Sequence, residues 1–221
     1  MPDRPMVHPA DAASLVILRG APDAPEVLLG RRRDNARFMP GVYVFPGGAV
    51  DPPDVGMERS ADWPGTRFHA AAIRETWEET GVMIAEPGPL PSCAPTDDPF
   101  YAALSESACV PSAGALHYIA RAITPEPSPI RFDTRFFLAK ESATSGIAHA
   151  VGELPEVLWL PASHALQSDR LRGVTKFVLG QALELWQDPD RLQSPSRPVR
   201  VFTWADGTRL IRKEPQDAGL L

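Results

Sequence analysis

Only two cysteines, Cys93 and Cys109, occur in the 221 residues, and their spacing fits neither a disulfide framework nor a metal knuckle. Such thin usage excludes a disulfide-stapled scaffold and makes both residues spectators in a reducing compartment. No apolar run approaches the roughly 20 residues that a membrane helix needs. The first residues also lack a basic segment followed by an apolar stretch and a small-residue cleavage site, so no signal peptide is expected. The expected location is the cytoplasm. Positive charge is short as well: 22 Lys and Arg stand against 28 Asp and Glu, for a net charge of −6. Without a basic field, neither nucleic acid nor an anionic membrane is an expected partner. A phosphate-bearing ligand would have to be held by local arginines and metal. Proline is the one residue in excess, at 25, about twice its usual ~5% share. It concentrates in loops, which points to rigid connections. The apolar and charged fractions, 43% and 23%, are those of a globular chain long enough for one large domain.

Residues 1–11 are polar and proline-bearing and read as an N-terminal arm. Residues 12–18 (A-A-S-L-V-I-L) and 27–31 read as a hairpin of two strands. The stretch 49–67 holds the clusters Asp51-Pro52-Pro53-Asp54 and Asp62-Trp63-Pro64-Gly65, which read as turns. A helix is expected over 68–80, a short strand over 82–85, and a loop through the prolines of 86–99. Asp98-Pro99 has the form of a helix cap with proline in the first turn, opening a helix to about residue 109. Residues 116–124 and 130–139 read as strands. Another strand follows at 157–160, with a helix from Pro161 through Leu166. Residues 174–186 carry a wide apolar face and read as a core helix. Residues 199–204 and 209–212 form a late hairpin joined through Asp206-Gly207, and 214–221 is a tail. No internal repeat is present.

The stretch 74–82, R-E-T-W-E-E-T-G-V, carries the chemistry. Glu75, Glu78 and Glu79 stand at i, i+3 and i+4, so a helix places them on one face. Like charges at that spacing oppose helix formation unless a cation lies against them. Hard divalent ions that take oxygen ligands, Mg²⁺ or Mn²⁺, suit such a face. A solvated acidic face is the alternative for a bare ExxEE. Its surroundings weigh against it: Arg74 precedes the first glutamate, Gly81 stands where a helix stops, and Gly47-Gly48 lies upstream. The five histidines have no ligand spacing, and His69 and His117 read as structural. Phe132, Phe136 and Phe137 read as core, with one face of the alternation open to a ligand. Arg121, Arg131 and Arg135 read as salt-bridge partners of acidic groups, or as phosphate donors.

These residues resemble the signature box of the Nudix hydrolases, G-x5-E-x7-R-E-U-x-E-E-x-G-U, where U is bulky and apolar. Arg74, Glu75, Glu78, Glu79, Gly81 and Val82 match; Thr76 replaces the first U. Gly48 lies 26 steps before Arg74 where the pattern has 14, so 12 additional residues lengthen the loop. The acid that pairs with the arginine is then Asp54, Glu58 or Asp51. Upstream, Leu28, Leu29, Arg32, Arg37, Gly41, Phe45, Pro46, Gly47 and Gly48 fall at the spacings of the motif in Nudix enzymes that cleave coenzyme A. Gly30 and Arg33 depart from it. The wording F-M-P-G-x-Y-V-F-P-G-G-A-V-D, followed by a long box loop, looks most like the acyl-CoA diphosphatase subgroup.

The resemblance implies an α/β/α sandwich with a mixed sheet, spanning residues 12–213, with an inserted helical and proline-rich cap at about 86–115. It implies metal binding by Glu75, Glu78, Glu79 and the carbonyl of Gly47, with Mg²⁺ or Mn²⁺ as cofactor. Glu75 or another box glutamate would deprotonate water, Arg74 would orient the carboxylates, and Glu153 or Glu156 would add a further acid. Arg32, Arg37, Phe45 and Gly48 would meet a small nucleotide substrate of the CoA kind. CoA or acyl-CoA would be split into 3′,5′-ADP and a 4′-phosphopantetheine derivative. A general pyrophosphatase of ADP-ribose or NADH is the second enzymatic reading, and a nucleotide-sensing module is a third, which the intact glutamate set opposes. A homodimer is compatible with all three.

Overall fold

A computed structural model describes residues 7–35, 40–126, 128–205 and 207–220. Its centre is β1 (Ala10–Arg19), whose residues 12 to 18 are all buried. Burial on both faces explains why the sequence runs apolar there instead of alternating. Leu15 and Ile17 point into one core, with Phe68, Ile73 and Phe137. Val16 and Leu18 point into the other, with Leu138, Val178 and Leu179. The period-2 geometry of a strand therefore sorts one apolar run into the two halves of a sandwich.

After β2 (Glu26–Arg31) come the short strands β3 (Tyr43–Val44) and β4 (Gly47–Ala49), then α1 (Pro52–Glu58) and α2 (Arg67–Thr80). The strands β5 (Ala85–Pro87) and β6 (Cys109–Pro111) bracket α3 (Pro99–Glu106). Next are β7 (His117–Ile123), β8 (Phe132–Lys140) and β9 (Glu156–Pro161), followed by α4 (Ala162–Gln167), α5 (Gly173–Trp186) and α6 (Pro189–Gln193). A closing hairpin, β10 (Val199–Ala205) and β11 (Thr208–Glu214), completes the fold. Among the described residues one mixed sheet runs β11-β10-β7-β8-β1-β2-β3, with β4 on β1 and β9 on β2. β1 is parallel to β8, from Ala10↔Phe132 to Leu18↔Lys140. Helix α2 covers one face and α5 the other, which is the expected α/β/α arrangement.

Several local expectations are corrected. The stretch 49–67 is not all turns, because α1 occupies its middle. Asp51 caps that helix, Pro lies in its first turn, and the backbone N–H of Asp51 donates to Asp54 at 2.8 Å. The same Asp-Pro cluster that suits a turn also suits a helix start. The strand expected over 82–85 forms at 85–87, where β5 pairs with β6. The insert does not cap the cavity described below. Phe100, Tyr101 and Leu104 of α3 sink into the core on the α2 side, with Phe100 against Trp77 at 5.8 Å. The sheet begins inside the segment read as an arm, and Asp11 accepts from Arg67 and Arg135. The tail folds back: Arg135 Nε donates to the Gly219 carbonyl at 2.8 Å, and Glu214 accepts from Tyr118 and Arg121. Asp206, read as part of the hairpin turn, lies outside the described residues.

The start of α2 is built on a titratable cap. The Thr66 backbone N–H donates to His69 Nδ1 at 3.2 Å, and the Thr66 hydroxyl lies 2.9 Å from the same nitrogen. His69 also lies against Phe137, with centroids 4.5 Å apart. Burial pushes its pKa down to about 4, so the unfolded chain binds the proton first as pH falls. Stability from this residue is present above pH ~6.5 and is lost as pH drops toward 4. Glutamine at this position keeps the reciprocal cap without the proton. His69→Gln should match the wild type at pH 7 and be the more stable protein at pH 4.5, by on the order of 2 kcal/mol. Urea midpoints at the two pH values measure the difference.

Candidate active site

The acidic face of α2 is held from both ends. Gly81 stops the helix in the left-handed conformation, φ 69°, with its N–H returning to the Trp77 carbonyl. At the other side, β4 brings two glycines against the carboxylates. Gly47 has φ 150°, and a Cβ there would collide with the Ala13 carbonyl; one at Gly48 would enter the Glu75 carboxylate. Both positions therefore need glycine. The Gly47 N–H donates to Glu79 Oε2 at 2.9 Å.

Arg74 organises the rest. Its Nε and one terminal nitrogen donate to the two oxygens of Asp54 at 3.2 and 2.9 Å, and that nitrogen also reaches the Ala49 carbonyl. The other terminal nitrogen donates to Glu75 at 3.0 Å and to Glu78 at 3.1 Å. Of the three acids considered for Arg74, Asp54 is the fully buried one that meets it face on. Asp51 lies further out at 3.6 Å. Glu58 serves Arg67 instead, at 2.9 Å. Burial opposes the charge on Arg74, yet the hydrogen bonds and charge of Asp54, with Glu75 and Glu78, raise its pKa.

Burial pushes Glu75 up to about 7, against the opposing pull of Arg74. It pushes Glu79 up to about 8, against the Gly47 N–H, and the Glu75 charge adds to the rise. Glu78 is raised too, by burial first. The Arg74 charge is shared among Asp54, Glu75 and Glu78, and a hard cation would supply the rest. The donor set thus fits a divalent ion in kind. Among the described residues, however, no three acidic, histidine or cysteine side chains converge as a preformed metal site. Arg74 spreads Glu75 and Glu78 on its own nitrogen.

Glu75 and Glu79 open into a cavity of about 770 Å³. Arg32, Gly47, Gly48 and Glu153 share this polar end with them, and Phe45 stands on the wall. Among the described residues the Nε of Arg32 is buried without a hydrogen-bond partner. Glu78 is not on the cavity wall. Of the two further acids, Glu153 is on the wall and Glu156 is not; Glu156 sits exposed at the start of β9. Arg37 lies outside the described residues. Phe132 and Phe136 line the cavity, whereas Phe137 is fully buried in the opposite core. Arg121 and Arg135 are engaged by Asp133, Glu214 and Asp11. Arg131 donates to the carbonyls of Val7 and Thr124. The site residues not anticipated are Ser14, whose hydroxyl donates to the Pro46 carbonyl at 2.8 Å, and a far wall from α5 and the closing hairpin.

The family model described as NUDIX domain matches residues 8–173. A Caenorhabditis elegans protein named nudix hydrolase 7 is 32% identical over 145 residues, which is 61% of this chain and 46% of that protein. The Homo sapiens acyl-coenzyme A diphosphatase NUDT19 is 26% identical over 247 residues, 72% of this chain and 65% of that protein. The alignments thus span between about half and two thirds of these curated relatives. The crystal structure of a NUDIX hydrolase from Alicyclobacillus acidocaldarius superposes with TM-score 0.68 at 32% identity, covering 86% of this chain and 97% of that one.

Removing the carboxylate of Asp54 leaves the buried Arg74 guanidinium with its main partner gone. Asp54→Ala should cost roughly 3 kcal/mol of stability, while Glu58→Ala, at a part-exposed pair, should cost about 1 kcal/mol. Equal losses in denaturant titrations of the two variants would show that Asp54 has no special part in holding α1 on α2.

Proposed function

The chain belongs to the Nudix family, and from that premise we propose that it is a metal-dependent pyrophosphohydrolase. Its substrate in this reading is a nucleoside diphosphate linked to a second group, with CoA or acyl-CoA first, giving 3′,5′-ADP and a 4′-phosphopantetheine derivative. The observation that carries the reading is the placing of two carboxylates, the buried Glu79 and the half-buried Glu75, with the Arg32 Nε, unpartnered among the described residues, at one end of a large cavity. The human relative is an acyl-coenzyme A diphosphatase, which supports the choice of substrate.

Glu75, Glu78, Glu79 and the Gly47 carbonyl would hold Mg²⁺ or Mn²⁺, which supplies Lewis-acid neutralisation of charge on the diphosphate oxygens. The protein's own groups do the rest. Arg74 fixes the Glu75 carboxylate, and the Gly47 N–H fixes that of Glu79, so both face the cavity already oriented. Either can take the proton of the attacking water, and Glu153 on the same wall offers a third carboxylate. Arg32 turns its open donor to the transferring phosphorus oxygens, where a charge-assisted hydrogen bond strengthens as charge builds. The free thiols of Cys93 and Cys109 accord with a cytoplasmic setting.

Arg32 and Glu79 share the polar end of the cavity, which favours contact of Arg32 with the diphosphate common to all candidate substrates over the 3′-phosphate peculiar to CoA. The general pyrophosphatase reading keeps its weight on that ground. Mass analysis of products from CoA, dephospho-CoA, ADP-ribose and NADH, each with Mg²⁺ or Mn²⁺, separates the two. CoA cleavage at the diphosphate should exceed the others, and chelator should abolish all turnover. Comparable rates on all four would leave the general reading.

Two variants test the roles. Glu79→Gln should lower kcat by about 10²–10⁴-fold with the fold intact; an undiminished kcat removes Glu79 from the chemistry. Arg32→Ala should lower kcat/KM by about ten- to a hundredfold on CoA and ADP-ribose alike. A loss confined to CoA would return Arg32 to the 3′-phosphate.

A further inference from the structure

The cavity does not end at the diphosphate. Beyond Phe45 it continues between the β7–β8 hairpin, the first turn of α5 and the β10–β11 hairpin. Its walls there are Ile123, Ile130, Phe132, Phe136, Phe202 and Trp204. Three hydroxyls, of Thr124, Thr134 and Thr175, and the cation of Arg209 interrupt an otherwise apolar surface. The residues matching the family model stop at 173. Val174, Thr175, Phe202, Trp204 and Arg209 all lie after it, so this end of the cavity is built in part by segments outside the matched region.

Ile130 and Trp204 are each 39% exposed, and both stand on the cavity wall. A single exposed apolar residue needs no explanation, but two at the mouth of one apolar channel leave surface that a ligand would cover. Two ring pairs on this wall are crossed and not stacked. Phe202 meets Trp204 edge to face at 76°, and Phe45 meets Phe136 in the same way. Ile123, Ile130 and Val174 stand on the same wall. An apolar wall of mixed shape suits a flexible aliphatic chain, which adapts to it by rotation about its own bonds. Arg209 lies over the Phe202 ring at 5.8 Å, so its stem extends the wall while its charge stays in water at the rim.

We propose that Gly173, Val174, Phe202 and Trp204 form an acyl-chain subsite, so that the closing hairpin and the start of α5 select acylated over free CoA. This rests on the reading of the polar end as a CoA diphosphatase centre. A thioester-linked chain enters the apolar end while the diphosphate stays with Glu75, Glu79 and Arg32.

Gly173 offers a clean probe, because a Cβ there would meet nothing within 4 Å. Gly173→Trp narrows the channel, and Trp204→Ala removes its exposed wall. Three readouts are taken on each folded variant: the ratio of kcat/KM for octanoyl-CoA to that for CoA, and calorimetric binding of S-octanoyl-4′-phosphopantetheine and of 3′,5′-ADP to metal-free protein. The ratio should fall about tenfold or more in Gly173→Trp and about fivefold in Trp204→Ala, with parallel weakening of binding. A ratio and an affinity within twofold of wild type in both variants overturn the subsite. So does a variant that weakens 3′,5′-ADP more than the octanoyl arm, since the channel then belongs to the nucleotide. A wild type that cleaves no CoA ester, yet binds the octanoyl arm in a Trp204-dependent way, keeps the subsite and removes the diphosphatase reading. CoA cleavage with no chain dependence does the reverse.

Discussion

The contact between Arg74 and Asp54 is the constraint on which the site depends. One guanidinium is buried between a helix that carries three glutamates and a helix set in the lengthened loop. Its fork divides the work: Nε and one terminal nitrogen hold Asp54, and the other terminal nitrogen holds Glu75 and Glu78. A lysine could not do this, because its point charge lacks the second direction. The like charges on α2 are thereby tolerated at i, i+3 and i+4, and the extra residues before α2 are tied down at their midpoint. Removing a charge from this cluster disturbs the placement of every other one.

The glycines complete the same constraint from the sheet side. β4 pairs with β1 at Gly47↔Ser14 and Gly48↔Ala13, and the absence of side chains lets the strand pass directly against Glu75 and Glu79. The site is therefore a seam between α2 and the central strands. The main chain supplies a donor at Gly47, and side chains supply the acids. The overall negative charge of the chain does not oppose an anionic ligand at close range, since Arg32 acts locally, within a Debye length of ~10 Å.

Much of this was legible in the sequence, and the reasons differ by element. α2 was legible to within a residue because its apolar spacing and Gly81 agree. β1 was legible because burial on both faces leaves an unmistakable β-branched run. α1 was not, since Asp51-Pro52-Pro53-Asp54 starts a turn and a helix equally well, and only the pairing of Asp54 with Arg74 decides between them. The choice among Asp51, Asp54 and Glu58 was closed for the same reason: spacing gives reach, but burial gives the partner. Glu156 failed as a cavity acid because strand pairing with β2 fixes its position away from the wall, something no count of residues from the box reveals. The placement of the insert was missed because its apolar residues could cover a cavity or a helix, and they cover α2. The far wall was invisible because residues from four separate segments meet there only through the sheet order.

The parallel pairing of β1 with β8 sets the order in which the molecule can assemble. Ala10 and its partner Phe132 are 122 residues apart in the chain (132 − 10), whereas the β1–β2 hairpin closes locally, at Leu18↔Val27. Loop closure over such a span is an entropic cost that must be met before the contacts repay it, and topologies of this kind fold slowly. A nascent chain therefore carries a half-paired, largely apolar central strand while the acidic helix, the insert and β7 are still being made. Until β8 arrives, that strand is the segment most open to intermolecular association, so yield in expression should depend on how long the interval lasts.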